Sequence, residues 1–257
     1  MRLGVNVDHI AVLKAARKFN DPDVLQSVFL AQRGGAEQIT IHLREDRRHI
    51  DDYDAERIVC NSPLPVNIEC AFEMIDAICD LRPIRATLVP EKREEVTTEG
   101  GLDVERNFAK IKQCVEKFAA REIEVSLFIE PNKAAVDLAY RSGATMVEFH
   151  TGRYANIYAM LYGNLARTPY AIDALNTSRN QLRSWLAKEL DAIGKAAEFA
   201  RKNNLAVAAG HGLNYQNVGA IRAIEAIEEL NIGQSIVARS VFVGFERAVR
   251  EMSELTR

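Results

Sequence analysis

The chain has little cysteine, no long apolar run and almost no charge bias, and each shortfall removes a class of function. Its four cysteines, Cys60, Cys70, Cys79 and Cys114, form no C-x-x-C pair and show no zinc-ligand spacing, so reduced thiols are the simplest reading. No apolar stretch is long enough to span a bilayer. Met1-Arg2 leads directly into strand-like sequence, without the apolar core of a secretory signal. Net charge is −3 with both signs interspersed, which gives no basis for a nucleic-acid partner or an anionic membrane surface. The expectation is a cytoplasmic protein that engages neither.

What is present suits a folded enzyme. Hydrophobic residues make up 47% of the 257 and charged residues 27%, ordinary values for a soluble globular chain with a sizeable core. Strand-like and helix-like segments alternate throughout, the pattern of a parallel α/β architecture. The strand candidates are Leu3–Asp8, Gln38–Leu43, Pro65–Ala71, Arg85–Val89, Glu124–Glu130, Thr145–His150, Leu205–Gly210 and Ser235–Arg239. Amphipathic stretches such as Asp23–Arg33, Asp103–Ala120, Lys133–Arg141, Gln181–Lys202 and Gln216–Glu229 separate them. Helix stops are expected at Gly34-Gly35, Ser62-Pro63 and Ser142-Gly143. No linker or composition break interrupts the chain, so one domain is expected, with a tyrosine-rich insertion around 151–180 after the sixth strand (Tyr154, Tyr158, Tyr162, Tyr170). That stretch reads equally as a lid, a subunit contact or a surface helix.

Alternation within the strands separates a closed barrel from an open sheet. Strands buried on both faces of an open parallel sheet read as near-continuous apolar runs. Here Leu3, Val5 and Val7 oppose Gly4, Asn6 and Asp8, and Ile39, Ile41 and Leu43 oppose Gln38, Thr40, His42 and Arg44. Val66, Ile68 and Cys70 likewise oppose Asn67 and Glu69, while Val147 and Phe149 oppose Glu148 and His150. One face is apolar and the other becomes ionisable towards each C-terminus, as in a barrel whose mouth carries an active site. The fold class is therefore α/β, a single (β/α)8 TIM-type barrel with extra helices.

Asp8, His42, Arg44, Glu69, Glu148 and His150 then share one interior surface, where an unpaired polar group costs about 1–3 kcal/mol and an unpaired charge more. An ion-paired plug is one explanation. Function is the better one, because the groups come from different strands and gather at the end where barrels keep their sites. All five histidines, His9, His42, His49, His150 and His211, fall at strand ends or in the loops beyond them, where general acid–base chemistry would use them. Adjacent Asp8 and His9 would face opposite ways on a continuing strand, which disfavours metal. The segments Ala209-Gly210-His211-Gly212-Leu213 and Asn231-Ile232-Gly233-Gln234-Ser235 end the seventh strand and open the eighth, where barrels often hold phosphate. In the run Arg44 to His49, Arg44 and His49 are read as functional and the rest as solvated or ion-paired. Arg121 to Glu124 and Glu225 to Glu229 are read as helix surface.

These segments resemble one family. Gly4-Val5-Asn6-Val7-Asp8-His9-Ile10-Ala11 and Ile41-His42-Leu43-Arg44-Glu45-Asp46-Arg47-Arg48-His49-Ile50 are similar to the pyridoxine 5'-phosphate synthases. So are Val89-Pro90-Glu91-Lys92-Arg93, the run Val96 to Asp103, Val147-Glu148-Phe149-His150-Thr151-Gly152, Ala209 to Leu213 and Glu229 to Gly233. The resemblance implies condensation of 1-deoxy-D-xylulose 5-phosphate with 3-amino-2-oxopropyl phosphate to pyridoxine 5'-phosphate, phosphate and water, without metal or organic cofactor, in a homo-octamer. It implies His42 and Glu69 as proton acceptors, His211 as proton donor and Glu148 as a transition-state stabiliser. Asn6 would contact the amino ketone, and Asp8, His9, Arg17, Arg44, His49 and Thr97 the pentulose phosphate. Gly212, Gly233 and Gln234 would complete the second phosphate site, with Gln234 standing where the family usually carries histidine. The role of His150 stays open between catalytic, orienting and structural. Two competing readings are another phosphate-binding barrel, such as a Schiff-base aldolase, which would need an inward lysine, and an inactive barrel scaffold.

Overall fold

A computed structural model describes residues 1–91 and 100–257. Within them eight parallel strands close into a barrel, β1 (Arg2–Asn6), β2 (Gln38–His42), β3 (Val66–Cys70), β4 (Arg85–Leu88), β5 (Glu124–Ile129), β6 (Met146–His150), β7 (Ala206–Gly210) and β8 (Glu229–Ile232). Each strand pairs with its sequence neighbours, and β1 closes the ring on β8 through the Leu3–Leu230 register. Around it lie α1 (Asp8–Arg17), α2 (Val24–Gly34), α3 (Asp52–Asn61), α4 (Ile75–Leu81), α5 (Phe108–Ala119) and α6 (Lys133–Ser142). They are followed by α7 (Gly152–Tyr162), α8 (Arg179–Lys202), α9 (Val218–Arg222), α10 (Gln234–Val243) and α11 (Phe245–Thr256).

The alternation in the strands is what builds the two-layer core. Leu3, Val5, Ile39, Ile41, Val147 and Phe149 point out of the barrel against the helices and are at most 1% exposed. Each such side chain contributes about 1.5–3 kcal/mol by leaving water. Local signals then set the helix ends. Asp23, Asp51, Asn132 and Ser178 accept hydrogen bonds from backbone N–H groups of the first turns of α2, α3, α6 and α8. At the other end, Gly35 and Gly143 take left-handed φ of 98° and 89°, terminating α2 and α6 where the glycines predicted a stop.

Three expectations need correction. The segment Ser235–Arg239 is not the eighth strand but part of α10, and the strand is Glu229–Ile232. The β-branched pair Ile236-Val237 mimics a strand, while Glu229, buried by pairing with Arg85, disguises one. By the same token Glu229 is not helix surface, and Glu124 opens β5 beside Arg85. The first strand ends at Asn6, and Asp8 begins α1, so Asp8 and His9 do not alternate across a sheet.

In the 151–180 stretch, Tyr154 is buried and its hydroxyl donates to the Asn217 carbonyl at 2.6 Å. Tyr158 donates to the Gln216 carbonyl at 2.9 Å, so these two tyrosines brace the loop after β7, whereas Tyr162 and Tyr170 face solvent. Among the described residues no helix is long and apolar enough to cross a membrane.

Candidate active site

A cavity of about 490 Å³ opens at the C-terminal mouth of the barrel. Its wall is assembled from strand ends. Asn6 comes from β1, Asp8 and His9 from the start of α1, His42 from the end of β2, Glu69 from β3, Glu148 from β6 and His211 from just beyond β7.

The turn between β1 and α1 is built to hold Asp8 inward. The Asn6 side chain accepts from the Asp8 backbone N–H and donates from Nδ2 to Asp8 Oδ2, both at 2.9 Å. The other Asp8 oxygen accepts the His42 backbone N–H at 2.8 Å, which pins α1 to the end of β2. His42 lies between two carboxylates, with Nδ1 3.8 Å from Glu69 and Nε2 3.4 Å from Glu91. Glu91 also approaches Arg44 at 3.6 Å and accepts the Glu45 N–H at 3.1 Å. Burial works against the Glu91 charge, but His42 and Arg44 outweigh it and hold the carboxyl below its usual value.

Beneath the cavity lies a buried polar floor. Arg85 donates to Gln38 and Glu229, each at 2.9 Å, and Gln38 donates to the same Glu229 oxygen at 3.0 Å. An ion-paired plug therefore does exist, one layer below the site. Asn231 joins the two layers, donating to Glu148 Oε2 at 2.8 Å.

Charge is the organising feature of the wall. Burial pushes Glu69 well above the ordinary carboxylate range, reinforced by Glu148 and Asp8. Burial also raises Glu148 to about 7, with Asn231 and Arg85 restraining the rise and Glu229 adding to it. The histidines move the other way. Burial lowers His211 to about 4, helped by His150 and His9, and burial likewise lowers His9 and His49. The protein by itself thus favours neutral acids and neutral imidazoles side by side, the pairing of shifted groups that acid–base enzymes use. His9 Nδ1, His49 Nδ1 and His150 Nε2 are buried without a hydrogen-bond partner among the described residues. Such orphaned ring nitrogens are groups that a polar ligand would satisfy.

The opposite wall is backbone. His211 and Gly212 take left-handed φ of 76° and 80°, and Gly233 leads into the N-terminus of α10 with Gln234 and Ser235 beside it. The Ser235 hydroxyl donates to the Leu213 carbonyl at 3.0 Å and ties the two turns together. A helix N-terminus and a glycine turn facing one cavity form a place for an anion.

Of the residues singled out from sequence, Asn6, Asp8, His9, His42, Arg44, His49, Glu69, Glu148, His211, Gly212, Gly233 and Gln234 all line this cavity. Arg17 does not. It ends α1, about 13 Å of helix rise from Asp8, and is exposed. Thr97 lies outside the described residues. Sequence reasoning gave no role to Glu91, Phe128, Glu130 and Asn231, although Glu91 and Asn231 lie within segments that carry the family resemblance and Phe128 and Glu130 lie at the end of a strand candidate.

A closed (β/α)8 barrel whose mouth carries paired carboxylates, histidines and an anion cradle defines the class, an acid–base barrel enzyme for small anionic substrates. Comparison with known proteins narrows this. The family model described as pyridoxal phosphate biosynthesis protein PdxJ matches residues 3–257, and the chain belongs to that family. Pyridoxine 5'-phosphate synthase of a Nitratiruptor species is 57% identical over 257 residues, covering 99% of this chain and 97% of that protein. The Wolinella succinogenes protein of the same name is also 57% identical, covering 99% of this chain and 98% of its own length. Among solved structures, KGPDC from Streptococcus mutans superposes with a TM-score of 0.62 at 10% identity, covering 99% of this chain and 96% of that one. Thiamine phosphate pyrophosphorylase from Pyrococcus furiosus does so at 0.59 and 13% identity, covering 99% and 95%. At that identity both likenesses speak for the barrel alone.

Proposed function

We propose that this enzyme condenses 1-deoxy-D-xylulose 5-phosphate with 3-amino-2-oxopropyl phosphate to pyridoxine 5'-phosphate, inorganic phosphate and water. The observation that carries the reading is the lining of one cavity by carboxylates shifted up and imidazoles shifted down, opposite a glycine-rich anion cradle. Amine addition to a carbonyl, two kinds of elimination and ring closure require repeated proton transfers near neutral pH. Each well-placed acid or base contributes about 10²–10⁴-fold to such steps.

The substrates supply charges that the protein alone does not. The ammonium group of the amino ketone favours ionised Glu69, which then accepts its proton, with His42 as the second acceptor. Phosphate dianions favour protonated His211, which otherwise rests neutral, and so prepare it as the donor. Glu148, near its midpoint at neutral pH, stabilises charge that develops in the ring-forming transition state. Asn6 contacts the amino ketone. Asp8, His9, Arg44 and His49 hold the pentulose phosphate, with Thr97 in the same group and Arg17 standing outside the cavity, and Gly212, Gly233 and Gln234 take the second phosphate through backbone and amide donors.

A Schiff-base aldolase is disfavoured, because none of the eight strands contains a lysine. An octameric cytoplasmic assembly belongs to the same proposal. Val241 and Phe242, 74% and 82% exposed near the end of α10, support association through that face. The test is incubation of chelator-treated protein with both substrates, following product and released phosphate. Equal amounts of both, abolished by His42→Ala or His211→Ala, are expected. Absence of product from both the chelated and the metal-supplemented protein would remove the proposal, and product only after metal is added would overturn its metal-free chemistry.

A further inference from the structure

We propose that Glu130 and His150 act as a positioning pair for His211, so that the proton donor of the preceding section is the last member of a three-residue row. The inference rests on that reading of His211. Three successive strands supply the row: Glu130 directly follows β5, His150 ends β6, and His211 follows β7. Glu130 Oε1 lies 2.8 Å from His150 Nδ1, and the His150 and His211 ring centroids are 4.9 Å apart. Phe128 closes the group, with its ring 5.3 Å from His150 and 6.4 Å from His211.

The carboxylate decides the tautomer of His150. With Glu130 ionised, Nδ1 carries the hydrogen and donates it, which leaves the Nε2 lone pair on the far side of the ring. That nitrogen is buried and has no hydrogen-bond partner among the described residues. It points over Gly152, where a Cβ would stand 2.4 Å from His150 Nε2 and 3.1 Å from His211 Cδ2. The glycine is therefore the floor on which the two rings meet. A buried, unpaired nitrogen beside a catalytic imidazole has no packing rationale, whereas a fixed neighbour that sets the orientation and charge of His211 does.

The backbone shares in the clamp. His211 sits at φ 76°, a conformation unfavourable for any residue with a side chain, and must be held there. Thr151, adjacent to His150, does so with a hydroxyl 2.7 Å from both the Gly210 and His211 carbonyls, between which its one hydrogen is shared. Glu130 in turn accepts the Gly101 N–H at 2.9 Å, which anchors the carboxylate. The groups whose charges bear on His211 are His150, His9 and Glu130. Arg153, itself paired with Glu189 at 2.6 Å, bears on Glu130. A proton on His150 opposes one on His211, and Glu130 favours it. This is the arrangement in which a carboxylate orients one imidazole and thereby tunes the group next to it.

The test compares full-length His150→Gln, Glu130→Gln and Glu130→Ala with the unaltered protein. Two readouts are taken: kcat and KM for both substrates, and the NMR titration of the His211 imidazole without substrate. For His150→Gln and Glu130→Ala, kcat is expected to fall about tenfold or more with KM within about threefold, the mark of an oriented acid–base group. Glu130→Gln should retain more activity than Glu130→Ala, since its amide oxygen still accepts the Nδ1 hydrogen. His211 should titrate at higher pH in His150→Gln. A kcat within about twofold of the unaltered protein in all variants, or a fall in kcat with the His211 titration unmoved in His150→Gln, overturns the assignment. Should His150→Gln fail to fold, the Gln-against-Ala difference at Glu130, whose side chain is 50% exposed, decides alone. Wild-type turnover in His211→Ala would instead sink the donor role, while the titration still reports on the pair.

Discussion

The Asn231 side chain bridges Glu148 to the barrel floor, donating to Glu148 Oε2 at 2.8 Å while lying 3.5 Å from Glu229 Oε1. One amide thus connects a buried carboxylate of the cavity to the Arg85–Glu229 ion pair below it. Replacing it by an apolar group of similar size, Asn231→Leu, removes a hydrogen bond that favours the charged form of Glu148. The expected result is an upward shift of the Glu148 titration in the pH profile of kcat, with kcat at neutral pH reduced about tenfold or more. An unchanged profile would detach Asn231 from Glu148.

The same carboxylate sets a sign for stability against pH. Glu148 titrates at about 7 in the folded protein against an ordinary value of 4.5, so the folded state binds more protons between those values. Its contribution is fully present below about 4.5 and is lost as pH rises through about 7. Glu148→Gln should flatten this part of the stability curve, as urea melts at a series of pH values will show. His211 works oppositely: its contribution is present above 6.5 and is lost as pH falls through about 4.

Breaking the floor should be worse than removing it. Glu229→Leu leaves the buried Arg85 without its principal partner, and such a loss typically costs about 3–5 kcal/mol. The double variant Arg85→Met with Glu229→Leu should recover part of that loss. Denaturant titration of the unaltered protein, the two single variants Arg85→Met and Glu229→Leu, and the double variant tests it, and additivity of the single losses would refute the coupling.

Gly210 makes a prediction about shape rather than charge. A Cβ there would come within 2.3 Å of Glu148 Oε1 and 3.0 Å of the Asn231 carbonyl. Gly210→Ala must therefore displace Glu148 from its hydrogen bond. We expect a folded barrel by circular dichroism with activity lowered about 10²-fold.

Glu69→Gln keeps the volume of the side chain but cannot accept a proton. Burial pushes the Glu69 carboxyl well above its ordinary value, so it takes up a proton readily, and the variant should lose about 10²-fold or more in kcat. Turnover equal to the unaltered protein would take Glu69 out of the mechanism.

Much of the barrel was legible in the chain because it depends on period-two patterning. Val5 against Asn6, Ile41 against His42 and Phe149 against Glu148 separate the helix-facing layer from the interior with no knowledge of neighbours. The twelve described cavity residues singled out from sequence follow from the same rule combined with family resemblance. The reading failed where a tertiary partner overrode local preference. Glu229 lies in a strand because Arg85, far away in sequence, neutralises it and Gln38 donates a hydrogen bond to it. Ser235-Ile236-Val237, strand-like on its own, becomes helix because Gly233 ends β8 and the chain must turn at the mouth.

Sequence by itself determined the fold class, which face of β1, β2, β3 and β6 turns to the barrel interior and the identity of most ionisable groups at the mouth, since these depend on residue type and spacing along one segment. Only the tertiary structure decided which charges meet. The 2.8 Å contact of Glu130 with His150, the approach of the His150 ring to His211, and the placing of Glu91 against His42 join segments tens of residues apart. Protonation follows from such meetings, because burial and neighbouring charge are properties of the closed barrel and not of any stretch of chain.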